Sequence, residues 1–554
     1  MSTPKLILDY VYDHEAKLPQ HVYLTQPLGG PNVRDYTWTQ VMHEARRMAA
    51  HLRSLGLQPG DRVAMLTKNC ASFFIAELAI WMGGFTTVAI FPTEGASTIR
   101  FVLEHSEAKA LFVGKLDTWA AQEPGVPESV KRISMPMGPK TGESWEEIIA
   151  RTAPLEGRVA RAPTDLAMII YTSGSTGQPK GVMHSFERIT RATEGIIAGI
   201  DFHEGDRAMS YLPLAHVFER AYIECVSLVV GGGHIFFAES LDTFLVDLRR
   251  AHPTLFLSVP RLWLKFQQGV FTKMPPERLE LLLKIPFIGK RVGKKVLTGL
   301  GLDAVRLAGS GSAPIPAELI SWYRRLGLRL MEGYAMTEDF AFSHLSTDQF
   351  SLPGYVGVPY KGVEVKISEE NEVLIRSPGT MVGYYKRPDL DAEAFTPDGF
   401  FRTGDQGERQ ASGLLRITGR VKELFKTAKG KYVSPAPIEN KLNEHPMIEL
   451  SCVTGVGQPA AYALVILAED LRKQASDPAV RARVEKDLGA WLAEVNRGLS
   501  GYEQLQMFVI VSDPWTIENG LLTPTMKLKR AKIEAAVADK LEGWYAEKKP
   551  VLWA

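Results

Sequence analysis

The stretch YTSGSTGQPKGVMHS, residues 171–185, combines three glycines, a cluster of hydroxyl side chains and one lysine, Lys180, directly after the apolar run of residues 166–170. A loop of this composition can turn backbone amides and hydroxyls inward around phosphate oxygens, while a lysine adds positive charge without strict geometry. The hydrolase-type phosphate loop GxxxxGK[ST] does not fit, because Pro179 precedes Lys180 and neither Ser nor Thr follows it. The apolar run reads as a strand covered on both faces, so the loop leaves a strand's carboxyl end.

In its full order this loop resembles the signature loop of the adenylate-forming enzymes, the superfamily of acyl-CoA synthetases, luciferases and peptide-synthetase adenylation domains. The similarity continues in order along almost the whole chain. YLPLAHVFER (211–220) is similar to the acid-pocket segment, in a form resembling long-chain acyl-CoA synthetases; so is HPTLFLSVPRLWLKF. AGSGSAPIP (308–316) and MEGYAMTED (331–339) resemble the adenine and phosphate segments, and GFFRTGDQGE resembles the ribose motif. ITGRVKELFKTAKGKYVSPAPIEN looks like the hinge that opens a small mobile domain, and LLTPTMKLKR like a lysine-bearing C-terminal loop.

The resemblance implies a reaction and a set of roles. ATP activates a carboxylate as an acyl-adenylate with loss of pyrophosphate, and a thiol then displaces AMP. Thr172, Ser173, Gly174, Ser175, Thr176, Gly177 and Lys180 are expected around the phosphates, with Ser312, Gly333, Tyr334 and Thr337 along adenine and the α-phosphate. Glu338, with Thr172, is expected to hold Mg²⁺, an ion that favours hard oxygen ligands and ATP phosphates. Asp405 and Arg420 are expected at the ribose, where a carboxylate can accept from both hydroxyls. Lys527 is expected to act in adenylation by offsetting repulsion between two anions, with Lys180 and Thr337 assisting; the KLKR around it also fits a solvated basic strip, of which Lys529 and Arg530 are the outer members. Lys422 occupies the pivot position and Gly430 a place where a side chain would obstruct the CoA channel. His216, Phe218, Val226 and Trp263, with Cys225 and residues 231–233, are candidates for the acyl pocket, and such residues in apolar runs also serve as core. Basic residues in KELFKTAKGKY fit either the CoA phosphates or a solvated face. Two features depart from the pattern. Ala335 stands where the family commonly has glycine, and the chain is compact for a long-chain synthetase, which keeps medium-chain and aryl acids open.

The elements that must position these residues follow a β-α-β rhythm. Apolar residues at helical spacing between 37 and 57, then GLQPGD, RVAML, a further helix and TTVAI, indicate a mostly parallel sheet with covering helices. The apolar stretch of residues 71–91 is about long enough for a membrane span, but Glu77, Gly83, Gly84 and two threonines interrupt it, so it reads as a helix, a break and a buried strand. VEVKISEENEVLIRS alternates like antiparallel strands, and residues 480–496 read as a helix. The expected fold is α/β: a large multi-lobed domain, residues 1–420, with mostly parallel sheets and a distorted β-barrel, followed by a small mobile α+β domain, residues 421–554.

At 554 residues the chain exceeds one ordinary core, and 64 basic against 63 acidic residues leave a net charge of +1, which gives no electrostatic case for nucleic-acid binding. Three widely spaced cysteines suggest neither a metal cluster nor a disulfide framework, and MSTPKLILDY lacks the features of a secretory signal. These features indicate a cytoplasmic protein without a transmembrane segment, peripheral membrane contact being compatible. The expected function is ATP- and Mg²⁺-dependent ligation of a medium- to long-chain fatty acid to CoA. The alternatives are transfer to a carrier-protein thiol, an aryl or medium-chain acid substrate, and a nonreactive acyl or nucleotide sensor.

Overall fold

The computed structural model describes residues 5–173, 179–347 and 349–554. An eight-stranded sheet organises the first part. In spatial order its strands are Gly383–Tyr384, Pro179–Ser185, Leu166–Ser173, Thr86–Ile90, Arg62–Leu66, Ala110–Val113, Lys131–Ser134 and Glu143–Ser144. From Leu166–Ser173 onward the neighbours are parallel, whereas Pro179–Ser185 and Gly383–Tyr384 pair antiparallel. The helix Trp38–Ser54 begins at Thr37, whose hydroxyl accepts from the Gln40 amide while the Gln40 side chain returns to the Thr37 amide.

The interrupted apolar stretch resolves as the sequence indicates. Residues Ala71–Gly83 form a wholly buried helix, Gly84 ends it at φ +97°, and Thr86–Ile90 follows as a central strand. Among the described residues no helix is long and apolar enough to cross a membrane. Glu77 is fully buried in that helix because Arg220 reaches it across the core at 2.7 Å.

A five-stranded sheet contains Leu255–Ser258, Leu307–Ser310 and Leu330–Tyr334 in parallel, then two antiparallel edge strands. The strands expected to form a distorted barrel instead form an open four-stranded antiparallel sheet, Glu364–Ile367, Glu372–Arg376, Phe401–Arg409 and Leu415–Arg420; among the described residues no sheet closes on itself. Four strands leave two edges, and closure needs more strands or more stagger. After residue 420 a mixed sheet of Ile448–Thr454, Ala461–Leu467, Leu505–Ile510 and Val551–Trp553 carries the helix Pro478–Arg497 on one face and the chain's last helices on the other, each with its own apolar core.

Candidate active site

The antiparallel pairing of Leu166–Ser173 with Pro179–Ser185 sets Thr172 opposite Lys180, and Gly383–Tyr384 lies on the far side of the latter strand. Lys180 Nζ donates to Glu338 Oε1 at 2.8 Å and to the Tyr384 hydroxyl at 2.7 Å; that hydroxyl donates to the same Glu338 oxygen at 2.8 Å. Burial alone would raise the Glu338 pKa, but the Lys180 charge and the hydrogen bonds from Lys180 and Tyr384 hold it below the ordinary carboxylate value. Thr172 Oγ1 is buried with no hydrogen-bond partner among the described residues. Ser173 lies in the strand, but its side chain, and Gly174, Ser175, Thr176 and Gly177, lie outside the described residues.

Thr337 opens the short turn Thr337–Asp339, fixed from behind by a 2.8 Å hydrogen bond between the buried His184 ring and the Thr337 carbonyl. Burial pushes the His184 pKa down to about 4, so the ring is a neutral structural donor. Tyr334 and Gly333 end the strand Leu330–Tyr334, and Ala335, half-buried, packs on the main core. Ser312 holds φ +67° in the loop after Leu307–Ser310.

The register pair Asp405 and Arg420 joins Tyr334 at a second centre. Arg420 Nε donates to Asp405 Oδ1 at 2.9 Å and the Tyr334 hydroxyl to Oδ2 at 2.7 Å. Each carboxylate oxygen keeps a further lone pair, so Asp405 retains the capacity to accept a ribose hydroxyl on either side.

Lys527 approaches both centres from the C-terminal region. Its side chain remains accessible to solvent yet is closely surrounded by protein. Its ammonium is held below the usual lysine value by desolvation and then by the Arg420 charge, while Asp405, Glu338 and Glu423 oppose that shift. The Lys527 charge also reaches His216, whose pKa falls to about 3, first through burial and then through that charge. His216 Nδ1 accepts from the Phe218 amide at 3.2 Å, so its proton resides on Nε2, leaving a neutral N–H donor beside Lys527.

The remaining candidates separate. Phe218 is half-buried, meets Tyr222 edge-on and faces Gly311. Val226 lines a cavity of about 20 Å³ with Tyr222, Ile223, Ile235 and Leu255. Trp263 is wholly buried against Phe256, Phe266 and Tyr323 and donates to the Gly309 carbonyl, a packing position in a second core. Lys422 is exposed in the short turn Val421–Glu423. Gly430 sits at a hairpin tip at φ +75°, where an added Cβ would meet only the end of Lys426 at 3.9 Å; the backbone conformation, not crowding, requires glycine there.

Three residues escaped the sequence reading of the site. Tyr384 bridges Lys180 and Glu338 but lies 204 and 46 positions from them, with no local pattern to connect them. Arg220 ends the acid-pocket motif, yet it is buried in a π-helical turn, Arg220–Cys225, between Glu77 and Glu224 at 2.7 and 3.1 Å. The interruption of an apolar helix by Glu77 was the available signal. Arg530 is not an outer member of a solvated strip: it donates to both Glu439 oxygens at 2.6 and 3.1 Å and to the Val453 carbonyl at 2.9 Å. It also approaches Glu423 at 3.8 Å, and Glu423 approaches Arg420 at 3.9 Å. Alternating charges therefore connect the lysine-bearing loop to Asp405.

Comparison with known proteins matches residues 12–385 to the AMP-binding enzyme family and residues 423–549 to the AMP-binding enzyme C-terminal domain. Long-chain-fatty-acid–CoA ligase FadD15 of Mycobacterium bovis is 32% identical, over 97% of this chain and 96% of its own. The adenylation domain of a carboxylate reductase from Mycobacterium chelonae superposes with a TM-score of 0.83 at 21% identity, covering 98% of this chain and 92% of that one. The corresponding domain from Segniliparus rugosus, solved with AMP and a co-purified carboxylic acid, gives 0.81 at 22% identity, covering 98% and 94%.

Proposed function

We propose, from the premise that the chain belongs to the AMP-binding enzyme family and is an AMP-forming acid–CoA ligase, that it activates a medium- to long-chain fatty acid through an acyl-adenylate and transfers the acyl group to CoA. The observation that carries the chemistry is the convergence of Lys180, Glu338, Asp405, Arg420 and Lys527 from five separate segments. The fatty acid rests on the activity of the relatives, which are long-chain-fatty-acid–CoA ligases.

A carboxylate and an α-phosphate repel one another, and a preorganised cation at their meeting point lowers that repulsion most where charge develops. In this reading Lys527 supplies that cation, and its charge interacts with Asp405, assigned to the ribose, and with His216, assigned to the acid. The His216 Nε2–H donor can orient the acid's carboxylate without adding a second charge. Lys180 supplies charge to the outer phosphates once it exchanges Glu338 for them. Glu338 and the orphaned Thr172 hydroxyl fit a Mg²⁺ ion, which characteristically takes one or two protein oxygens together with ATP phosphates. That ion would neutralise phosphate charge. Thr337, pinned through its carbonyl by His184, would donate to the α-phosphate.

For the second step we place a pivot at Lys422, with residues 421–554 rotating as a small domain and the basic hairpin around Gly430 near the CoA phosphates. A panel of acids assayed for pyrophosphate release, with and without CoA, tests the whole reading. Release with C10–C18 acids coupled to CoA consumption supports it; release without CoA consumption indicates a carrier-protein thiol, and preference for benzoates overturns the fatty-acid assignment.

A further inference from the structure

The structure exposes an apolar tip flanked by cations on an element that holds none of the candidate active-site residues. Around the junction of the helices Pro276–Leu283 and Ile288–Leu300, Leu281, Ile285, Phe287 and Ile288 are 65, 38, 82 and 45% exposed. Phe287 stands at φ +63°, ψ −41°, and the Ile288 amide donates to the Pro286 carbonyl at 2.7 Å, which makes Phe287 the centre of a strained three-residue turn. The Phe287 carbonyl starts the following helix by accepting from the Arg291 amide at 3.3 Å, while its ring is left in water.

The following helix explains the charge. Its Gly289 and Gly293 pack so closely on the Leu283 and Leu326 carbonyls that an added Cβ would lie 2.3 and 2.5 Å from them, and Leu297 continues that buried edge. The side turned away carries Lys290, Arg291, Lys294 and Lys295, all exposed, with Lys284 beside the tip. Residues 281–302 contain these five cations and no Asp or Glu, and none of the five forms an ion pair among the described residues.

We propose that this element, Leu281 to Lys295, docks on an anionic lipid surface, with Phe287, Ile285, Ile288 and Leu281 entering the acyl boundary and the cations meeting lipid phosphates. Apolar insertion combined with a basic flank is the pairing that gives peripheral proteins lasting contact with anionic membranes. Charge alone would suit a polyanion such as RNA; a protruding aromatic tip adds nothing to that contact, so the combination favours lipid. The assignment does not depend on which acid the enzyme activates.

Co-sedimentation with phosphatidylcholine vesicles, with and without one-third phosphatidylglycerol, tests it, using the full-length chain at low and high salt. The wild type is expected to pellet with the anionic vesicles and to be released by salt. Phe287→Ser combined with Ile288→Ser should lower partitioning on the order of tenfold, as should Lys290→Glu combined with Lys294→Glu. Both variants should keep wild-type pyrophosphate release with a water-soluble acid, which also shows that they fold. Equal binding to neutral vesicles, no vesicle binding, or loss only in the charge variant with the Phe287 variant unaffected would each overturn the proposal, the last pointing to a generic polyanion patch.

Discussion

Arg530→Met tests how the lysine-bearing loop is held in place. The Arg530 guanidinium is mostly buried, makes a two-pronged contact with Glu439 and reaches the Val453 carbonyl; Glu439 Oε1 also accepts from the Val453 amide at 2.7 Å. Methionine fills similar volume but leaves a nearly buried Glu439 carboxylate with a single backbone donor. Breaking one side of such a pair costs about 3–5 kcal/mol, a large share of the roughly 5–15 kcal/mol that stabilises a domain. Because Lys527 lies three residues upstream, on a loop tied by its own amide to Thr523 Oγ1 at 3.0 Å, local loosening lowers the population with Lys527 in place. Hydrogen exchange over Ile448–Thr454 and Arg530–Ala535 should accelerate, and adenylation should fall on the order of tenfold. Thioester formation from supplied acyl-adenylate should fall less. The double variant with Glu439→Met should recover most of the stability, since no carboxylate is then stranded. Unchanged exchange and unchanged adenylation in Arg530→Met would refute the anchoring role.

Lys527→Ala should lower adenylation by about 10² to 10³ while sparing the thioester step, as measured by pyrophosphate release against CoA consumption. Because the Lys527 pKa is depressed and the role proposed for it needs the ammonium, adenylation should be lost as pH rises through a value below that of ordinary lysine, and Lys527→Arg should move this limb upward. Tyr384→Phe removes a hydrogen bond to charged Glu338, a loss of about 1.5–3 kcal/mol, so the KM for ATP should rise. The same change relaxes the depression of the Glu338 pKa, and the acid limb of the pH profile should shift to higher pH. Arg220→Met strands Glu77 and Glu224 in the core and should lower stability by about 3–5 kcal/mol in a urea titration; a wild-type midpoint would remove Arg220 from its structural role. Lys422→Pro should depress thioester formation far more than adenylation, and an equal fall in both half-reactions would reject the pivot.

Most elements were legible because each is dictated locally. The buried helix and strand within residues 71–91, the paired strands of VEVKISEENEVLIRS and the helix Pro478–Arg497 follow from periodicity and glycine breaks. The open antiparallel sheet was less legible, since strand alternation reports which face is buried but not whether the edges meet. Trp263 illustrates the same limit: an aromatic residue in an apolar run has one sequence signature for lining a pocket and for filling a core, and here it fills a core.

The candidate chemistry was readable in one dimension, because Lys180, Thr337, Glu338, Asp405, Arg420 and Lys527 lie in contiguous motifs whose residue types and order carry the likeness to adenylate-forming enzymes. Which charge neutralises which was set by the fold. Tyr384 joins Lys180 and Glu338, Arg220 answers Glu77, and Arg530 anchors on Glu439 across 204, 143 and 91 positions of chain. Buried charges must find partners at the moment of burial, and the partner is set by which segments the sheets bring within a few ångströms, a relation that no local spacing encodes.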